Sequence, residues 1–216
     1  MLEKMDQFFE NRLSDYDRHM LDDIEFASGF YAYTASQLPK TPEAHILDLG
    51  CGTGLELEQY FPLNPTAHVT GIDLSKAMLE ALAAKFPDKN LTLIHNSYFD
   101  ADLGTEQYHA AVSVESLHHF TPDLKLSLYQ KLCRSLKPTG YFILTDYFAE
   151  SEELEKVYFS DLENLKREQG ITDEEFYHYD TPLAVEHEME ILTKAGFSQV
   201  RILKNWGSTS TLIAER

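Results

Sequence analysis

The sequence is poor in cysteine, in basic residues and in long apolar runs, and each shortage excludes a class of protein. Only two cysteines, Cys51 and Cys133, occur among 216 residues. We therefore expect reduced thiols in a cytosolic protein, with neither a disulfide framework nor a thiolate metal centre. No apolar run approaches the roughly 20 residues that a membrane span needs. Three of the first six residues are charged, and two of these are acidic, unlike a secretory signal peptide. We expect no membrane partner.

Positive charge is scarce relative to negative charge. Eighteen Lys and Arg residues stand against 36 Asp and Glu residues, which gives a formal net charge of −18. A protein that binds nucleic acid needs Lys or Arg at each phosphate contact. The charge balance therefore disfavours nucleic acid and favours a small-molecule partner, with a neutral or cationic one steered better than an anionic one.

One stretch joins a buried strand to a helix through glycines. The apolar run 46–49 is typical of a strand buried on both faces. Gly50, Gly52 and Gly54 follow it, and glycines at such a turn let bare backbone N–H groups approach a ligand. The dinucleotide fingerprint fails here, because leucine stands wherever its third glycine would fall. A nicotinamide-dependent oxidoreductase is therefore the disfavoured alternative.

The string from Asp48 to Gly54 resembles motif I of the class I S-adenosylmethionine-dependent methyltransferases of the small-molecule type. Three further strings resemble later motifs of that family in the right order, namely Gly71 to Leu79, His109 to His119 and Leu136 to Leu144. The resemblance implies S-adenosyl-L-methionine as the cofactor and methyl transfer to a small acceptor. A protein that binds the cofactor or its product without catalysis is the other alternative that the sequence leaves open. A homodimer is a further option.

The resemblance also implies the architecture. We expect an α/β fold with a Rossmann-like, doubly wound, mostly parallel sheet of seven strands that ends in an antiparallel C-terminal hairpin. The whole chain, 1–216, would form a single methyltransferase-like domain. Its expected parts are a helical N-terminal cover at 1–43, a cofactor-binding core at 44–147, a helical lid-like insertion after strand five at 148–182, and a C-terminal helix and strand pair at 183–216. Within the insertion, Thr172 to Glu175 is typical of a capped helix start.

The cofactor site can be predicted residue by residue. Asp73 ends the second strand about 20 residues beyond the glycines, where an acid can accept both ribose hydroxyls. Asp48 is expected to order the loop or the methionine ammonium. Two departures from the family pattern occur: Asn96 with Ser97 replaces a usual aspartate, and His109 replaces another. The predicted cofactor-binding residues are Asp48, Gly50, Cys51, Gly52, Gly54, Asp73, Leu74, Met78, Asn96, Ser97, Tyr98, Glu115 and Ser116.

Catalysis of methyl transfer needs a general base only if the acceptor must lose a proton. His119, Tyr147 and Tyr16, in that order, are the predicted candidates, because each is expected near the carboxyl edge of the sheet. Adjacent histidines at 118 and 119 do not predict a metal, since no third ligand stands at usable spacing and neighbouring side chains are expected to diverge. We therefore expect no metal, and the acceptor atom stays open.

Overall fold

The structure is a computed structural model that describes residues 1–173 and 175–216. Within these residues, one sheet of seven strands has the order β3-β2-β1-β4-β5-β7-β6. The strands are β1 His45–Leu49, β2 His68–Asp73, β3 Asn90–His95, β4 Tyr108–Val114, β5 Leu136–Tyr147, β6 Gln199–Trp206 and β7 Thr209–Glu215. The helices are α1 Met5–Asp22, α2 Ala27–Gln37, α3 Leu55–Tyr60, α4 Lys76–Lys85, α5 Pro122–Ser135, α6 Glu152–Glu168 and α7 Val185–Lys194.

The first five strands run parallel, and β7 pairs antiparallel with both β5 and β6. This arrangement confirms the predicted fold class, including the C-terminal hairpin. The strand order reverses between β1 and β4, so the loops that follow these two strands lie side by side. In an open α/β sheet, such a switch point is where ligands bind.

Two apolar clusters cover the two faces of the sheet. Along β1, Leu47 and Leu49 belong to one cluster, whereas Ile46 belongs to the other. Along β5, Phe142 and Ile143 divide in the same way. Successive side chains of a strand point to opposite faces, and here both faces are covered. The apolar runs in the sequence therefore correctly predicted strands that are buried on both faces.

The N-terminal helices differ from their expected bounds. Within the helical cover expected at 1–43, apolar residues at helical spacing predict helices over about 2–14 and 22–38. In the structure, α1 continues to Asp22 and α2 begins at Ala27. Residues 15–22 contain neither glycine nor proline, so nothing in that stretch breaks the helix. The break comes at Phe26, whose φ of 63° lies in the left-handed region.

Two further expectations were wrong in the second half of the chain. Residues 137–140, predicted as a turn, belong to β5, whose pairing with β4 shifts between Tyr108 and Ala110. The predicted helix start at 172–175 includes Glu174, which lies outside the described residues, and 171–173 and 175–180 are not helical. Tyr177 instead pairs with Lys4 in an isolated bridge. The division of the chain into one domain with four parts stays a prediction.

None of the described helices combines the length and the apolar character that crossing a bilayer requires.

Candidate functional site

Asp73 ties the glycine loop to the carboxyl end of β2. Its Oδ2 accepts a hydrogen bond from the backbone N–H of Gly52, and its Oδ1 accepts one from Ser75, each at 2.8 Å. Burial raises the pKa of Asp73, and these backbone donors act in the opposite direction. An ionised carboxylate offers about four acceptor positions, so the same group can still accept hydroxyls of a ligand.

The three glycines of the loop have different surroundings. Gly50 has a φ of 72°, and a Cβ there would lie 2.0 Å from Oγ of Ser116. A Cβ at Gly54 would press on α4, 3.3 Å from Leu82. At Gly52, where φ is 48°, the nearest atom to an added Cβ is the hydroxyl oxygen of Tyr16 at 3.6 Å. Close packing explains the first two glycines, whereas a Cβ at Gly52 would make only ordinary van der Waals contact with Tyr16.

A pair of buried carboxyl groups flanks the loop, at the end of β1 and in the first turn of α3. Asp48 is 1% exposed and Glu56 is 5% exposed. Asp48 Oδ2 and Glu56 Oε1 have no hydrogen-bond partner among the described residues. Burial raises the pKa of Asp48 well above its usual range, and the charge of Glu56 raises it further. Burial also raises the pKa of Glu56. A cationic group such as an ammonium would give both oxygens a partner.

A small cavity of 40 Å³ lies between the glycine loop and the loop after β4. Eight of the predicted cofactor residues line it, namely Gly50, Gly52, Asp73, Leu74, Met78, Tyr98, Glu115 and Ser116. Its other lining residues are Met5, Phe9, Tyr16 and His119. The remaining predicted residues do not line it, namely Asp48, Cys51, Gly54, Asn96 and Ser97. The structure therefore brings together most, but not all, of the predicted set.

The segment after β3 explains why only one of its three predicted residues reaches this cavity. Asn96 Oδ1 accepts a hydrogen bond from the backbone of Ser97 at 2.8 Å, and Ser97 Oγ accepts one from Phe99 at 3.1 Å. Both side chains are thus used to shape the turn. Tyr98 is 5% exposed, and its hydroxyl lies 3.3 Å from Oγ of Ser116, beside the wall that Gly50 forms.

A larger cavity of 590 Å³ adjoins the small one. Four residues line both cavities, namely Phe9, Tyr16, Glu115 and His119. Two of the three candidate bases, Tyr16 and His119, therefore lie at the boundary. Tyr147 lines the larger cavity but not the small one.

Several carboxyl groups lie near the boundary between the cavities. Burial raises the pKa of Tyr16, and the carboxylates of Asp73, Glu56 and Asp17 raise it further. Burial also raises the pKa of Glu115 to about 7. A cationic ligand at this boundary would be attracted by these carboxylates.

Helix α1 closes over the site and is held at both ends. Met5 donates a backbone hydrogen bond to the carbonyl of Phe176 at 2.9 Å. The ring of Phe8 stacks on His178 with centroids 3.4 Å apart. Near the C-terminal end of the helix, Asp17 forms an ion pair with Lys85 at 2.8 Å. The helix thereby places Tyr16 over the glycine loop.

A cluster of histidines and acids forms one wall of the larger cavity. His118 and His119 lie in a single 3₁₀ turn, 117–119, that follows β4. His118 Nδ1 is 2.6 Å from Asp146 Oδ1, and its Nε2 is 3.5 Å from Asp180 Oδ1. His119 Nδ1 is 3.3 Å from the same oxygen of Asp180 and 3.1 Å from the carbonyl of Tyr179.

The expectation that the two histidines diverge was wrong. Their ring centroids are 4.0 Å apart, because both rings face the same carboxylate oxygen of Asp180. The third group near them, Asp180, is 61 residues from His119 in the chain, so sequence spacing could not reveal it. Asp146 lies near the carboxyl end of β5 and Asp180 follows residues 176–179, and neither was predicted to contact the histidines. His118, Asp146 and Asp180 were not among the predicted site residues.

The pKa values of the two histidines in this cluster are shifted in opposite directions. Burial acts to lower the pKa of His118, but the carboxylates of Asp146 and Asp180 outweigh it and raise that pKa to about 10. Burial and the neighbouring charge of His118 hold the pKa of His119 well below its usual range. His118 is therefore a cation at neutral pH, whereas His119 is neutral.

Tyr147 is a weaker candidate for a base than its position suggested. Its hydroxyl lies 3.3 Å from that of Tyr158 on α6. This hydrogen bond, together with burial, raises the pKa of Tyr147 to about 12. The phenolate that a base would need is scarce at neutral pH.

Comparisons with known proteins agree with this geometry. A family model described as a methyltransferase domain matches residues 46–140. A carboxy-S-adenosyl-L-methionine synthase from Campylobacter fetus is 24% identical over an alignment of 225 positions, gaps included. The alignment covers 99% of this chain and 95% of that protein.

Solved structures share the fold at low sequence identity. Human N-acetylserotonin methyltransferase in complex with S-adenosylmethionine has a TM-score of 0.64 and 16% identity, over 88% of this chain and 52% of that one. The cyclopropane synthase MmaA2 from Mycobacterium tuberculosis has a TM-score of 0.63 and 17% identity, over 82% of this chain and 63% of that one. This chain thus spans less than two thirds of either structure. Because the domain match, the strand order and the glycine loop beside Asp73 agree, residues 46–140 form a domain of the class I S-adenosylmethionine-dependent methyltransferase family.

Proposed function

We propose that the protein transfers the methyl group of S-adenosylmethionine to a small acceptor bound in the 590 Å³ cavity. The observation that carries this proposal is the contact between two cavities across Phe9, Tyr16, Glu115 and His119. One cavity is lined by the glycine loop and Asp73 and, at 40 Å³, would have to widen to admit the cofactor, whereas the other, at 590 Å³, has room for a second molecule. Two ligands that meet at this boundary would be aligned for in-line displacement.

The residues around the small cavity fit the cofactor's separate parts. Asp73 would accept the ribose hydroxyls, and Gly52 would allow close approach of the backbone. Leu74, Met78 and Tyr98 would form apolar walls beside the nucleoside. When bound, the cofactor supplies a methyl group that its sulfonium charge already activates. The protein's part is then to align the two reactants and to exclude water.

The methionine end of the cofactor carries an ammonium group. The unpartnered oxygens of Asp48 and Glu56 support a role for this pair in attracting that charge. Because neither residue lines the described cavities, we propose that the pair acts through the loop or through an ordered water.

The larger cavity favours an acceptor that is neutral or cationic and partly aromatic. Its walls include five aromatic side chains, namely Phe8, Phe9, Tyr16, Tyr147 and Trp206. Its carboxylates are Asp15, Asp23, Glu25, Glu115 and Asp180. The two arginines of the wall are already paired, Arg12 with Glu3 at 2.9 Å and Arg18 with Asp15 at 3.0 Å. The balance therefore disfavours a polyanion such as a nucleic acid.

Release of S-adenosylhomocysteine, measured against a panel of small aromatic alcohols, amines and acids, tests this proposal. We expect turnover with neutral or cationic members and little with anionic ones. Calorimetry without acceptor should show binding of S-adenosylmethionine. Binding without turnover across a wide panel would favour the non-catalytic alternative, and absence of binding would overturn both.

A second candidate function follows from the whole-length match to a carboxy-S-adenosyl-L-methionine synthase. In that case the protein would modify the cofactor itself. A carboxylated substrate would compete with Glu3 for Arg12, with Asp15 for Arg18, or with Asp146 and Asp180 for cationic His118, which disfavours this function. Mass spectrometry of the ligand that copurifies distinguishes the two, because a cofactor heavier by one carboxyl group would favour the synthase.

Two further expectations, a cytosolic location and a homodimer, stay predictions. Light scattering of the purified protein would measure the second directly.

A further inference from the structure

We propose that His118, His119 and Asp180 form a binding site for a divalent transition-metal ion. His118 Nε2 lies 3.5 Å, and His119 Nδ1 lies 3.3 Å, from Oδ1 of Asp180. The three ligand atoms all lie within 4.8 Å of one another. Two ligands about 2.1 Å from a tetrahedral ion lie about 3.4 Å apart. The two measured separations match that value, so an ion needs little rearrangement of these side chains.

The ring of His118 is already oriented as a metal ligand, and an ion bound at its Nε2 would release to solvent the proton that this nitrogen carries at neutral pH. Its Nδ1 is 2.6 Å from Asp146 Oδ1, and Asp146 Oδ2 accepts a hydrogen bond from the backbone N–H of Leu117 at 3.0 Å. Asp146 is 1% exposed, so its carboxylate is fixed by both contacts. A carboxylate that holds one ring nitrogen while the other binds metal is the usual second layer of a histidine site.

Oxygen atoms that can act as metal ligands also lie close to His119. Its Nδ1 faces Asp180 Oδ1 at 3.3 Å and the carbonyl of Tyr179 at 3.1 Å. Both oxygens thus lie close to His119 Nδ1, and either a proton or a metal ion could lie between this nitrogen and the oxygens. A metal ion there would take Nδ1 as a ligand and could add the Tyr179 carbonyl.

The donor set indicates the class of metal. Two imidazoles with one carboxylate suit Zn²⁺, Co²⁺, Fe²⁺ or Mn²⁺, whereas Mg²⁺ and Ca²⁺ prefer oxygen ligands alone. All three proposed ligands line the 590 Å³ cavity. Any coordination position that the protein leaves open would therefore face the acceptor, where an oxygen or nitrogen of a small molecule could bind. Zinc sites with three protein ligands and one open position are of this kind.

Calorimetric titration of untagged, chelator-treated protein with Zn²⁺ tests the site. A parallel titration with Co²⁺ reports coordination geometry through visible absorption. We expect one ion per chain, and we expect Asp180→Asn to weaken binding at least tenfold. The Asp180 side chain is 50% exposed, so this variant should fold. His119→Gln, checked by circular dichroism, is the second variant and should have a comparable effect.

Two controls separate this site from adventitious binding. Asp161→Asn changes an exposed carboxylate on α6. His68→Ala disrupts a second histidine group, in which the His45 ring centroid is 4.9 Å from that of His68 and 6.0 Å from that of His109, at the opposite end of the strands. Both controls should bind like the wild type.

Absence of Zn²⁺ and Co²⁺ binding would overturn the proposal. Binding that is unchanged in Asp180→Asn, or lost in His68→Ala, would also overturn it. Because these titrations contain neither cofactor nor acceptor, their failure would leave the proposed methyl transfer untouched.

Discussion

Asp17 of α1 forms an ion pair with Lys85 of α4, with 2.8 Å between Oδ2 and Nζ. The other oxygen of Asp17 accepts a hydrogen bond from the hydroxyl of Thr53 in the glycine loop. The residue before it, Tyr16, lines both cavities. One carboxylate thus fixes the helix that covers the predicted cofactor site to two elements that form that site.

We expect Asp17→Ala to speed the release of S-adenosylmethionine by about fivefold, the factor that corresponds to about 1 kcal/mol. The pair is partly exposed, with side-chain accessibilities of 22% and 40%, so stability should change little. Stopped-flow displacement measures the release rate. Asp15→Ala is the matched control, because Asp15 pairs only with Arg18 of the same helix in the ion pairs described. Equal release rates in both variants would contradict a closing role for Asp17.

A second prediction concerns Asp73. Its carboxylate accepts hydrogen bonds from Gly52 and Ser75, and we propose that it also holds the ribose. Asp73→Ala should weaken cofactor binding tenfold or more, which corresponds to about 1.4 kcal/mol for a lost charged hydrogen-bond pair. Calorimetry measures the affinity, with exposed Asp88→Ala as the control. Wild-type affinity in Asp73→Ala would show that the ribose binds elsewhere.

A third prediction separates backbone strain from collision in the glycine loop. Gly50→Ala would place Cβ 2.0 Å from Ser116 Oγ, whereas Gly170→Ala, at a similar φ of 66°, would meet nothing within 4 Å. Both variants bear the strain of a left-handed alanine, roughly 1–2 kcal/mol. Only Gly50→Ala adds overpacking, roughly 1–3 kcal/mol more. Urea unfolding measures both.

If Ser116→Gly partly restored the stability of Gly50→Ala, the extra loss of stability would be due to the collision between Cβ and Ser116 Oγ. Equal stability of the two single alanine variants would show that the loop relaxes freely around position 50.

Some of the fold and site could be read from the sequence because the signals are local. The glycines and Asp73 act on neighbouring backbone, so their pattern predicts the loop, and the fold class, the family and the cofactor are confirmed. The contact of Asp180 with His118 joins groups 62 residues apart, and no periodicity encodes it. Glu115 has a φ of 48° without being glycine, so the shape of its loop was equally hidden. The role of each site residue stays a prediction.

A fourth prediction follows from the buried pair Asp48 and Glu56. Burial raises the pKa of Asp48 above its ordinary 3.8, so the folded protein holds a proton that the unfolded chain has lost. Where the unfolded state binds fewer protons, stability falls as pH rises. The stability of the wild type should therefore decrease from mildly acidic to alkaline pH, as Asp48 is forced to ionise beside Glu56 and near Asp73.

Asp48→Asn removes this ionisation, and its amide can donate to the unpartnered Glu56 Oε1. We expect the variant to gain stability relative to the wild type as pH rises, in urea melts across that range. Exposed Asp88→Asn should follow the wild-type curve. A constant difference between Asp48→Asn and the wild type at every pH would contradict the raised pKa.

The last prediction concerns whether tyrosine hydroxyls act as bases. The pKa of Tyr147 is raised to about 12, first by its hydrogen bond to Tyr158 and then by burial. Burial and nearby carboxylates also raise the pKa of Tyr16. A general base typically contributes about 100-fold or more to turnover. We expect Tyr147→Phe and Tyr16→Phe each to keep turnover within about tenfold of the wild type, with the aromatic ring supplying the packing at each position. Tyr158→Phe is the control for loss of the hydrogen bond alone. If Tyr147→Phe instead lost a hundredfold while Tyr158→Phe did not, the hydroxyl of Tyr147 would be acting on the acceptor.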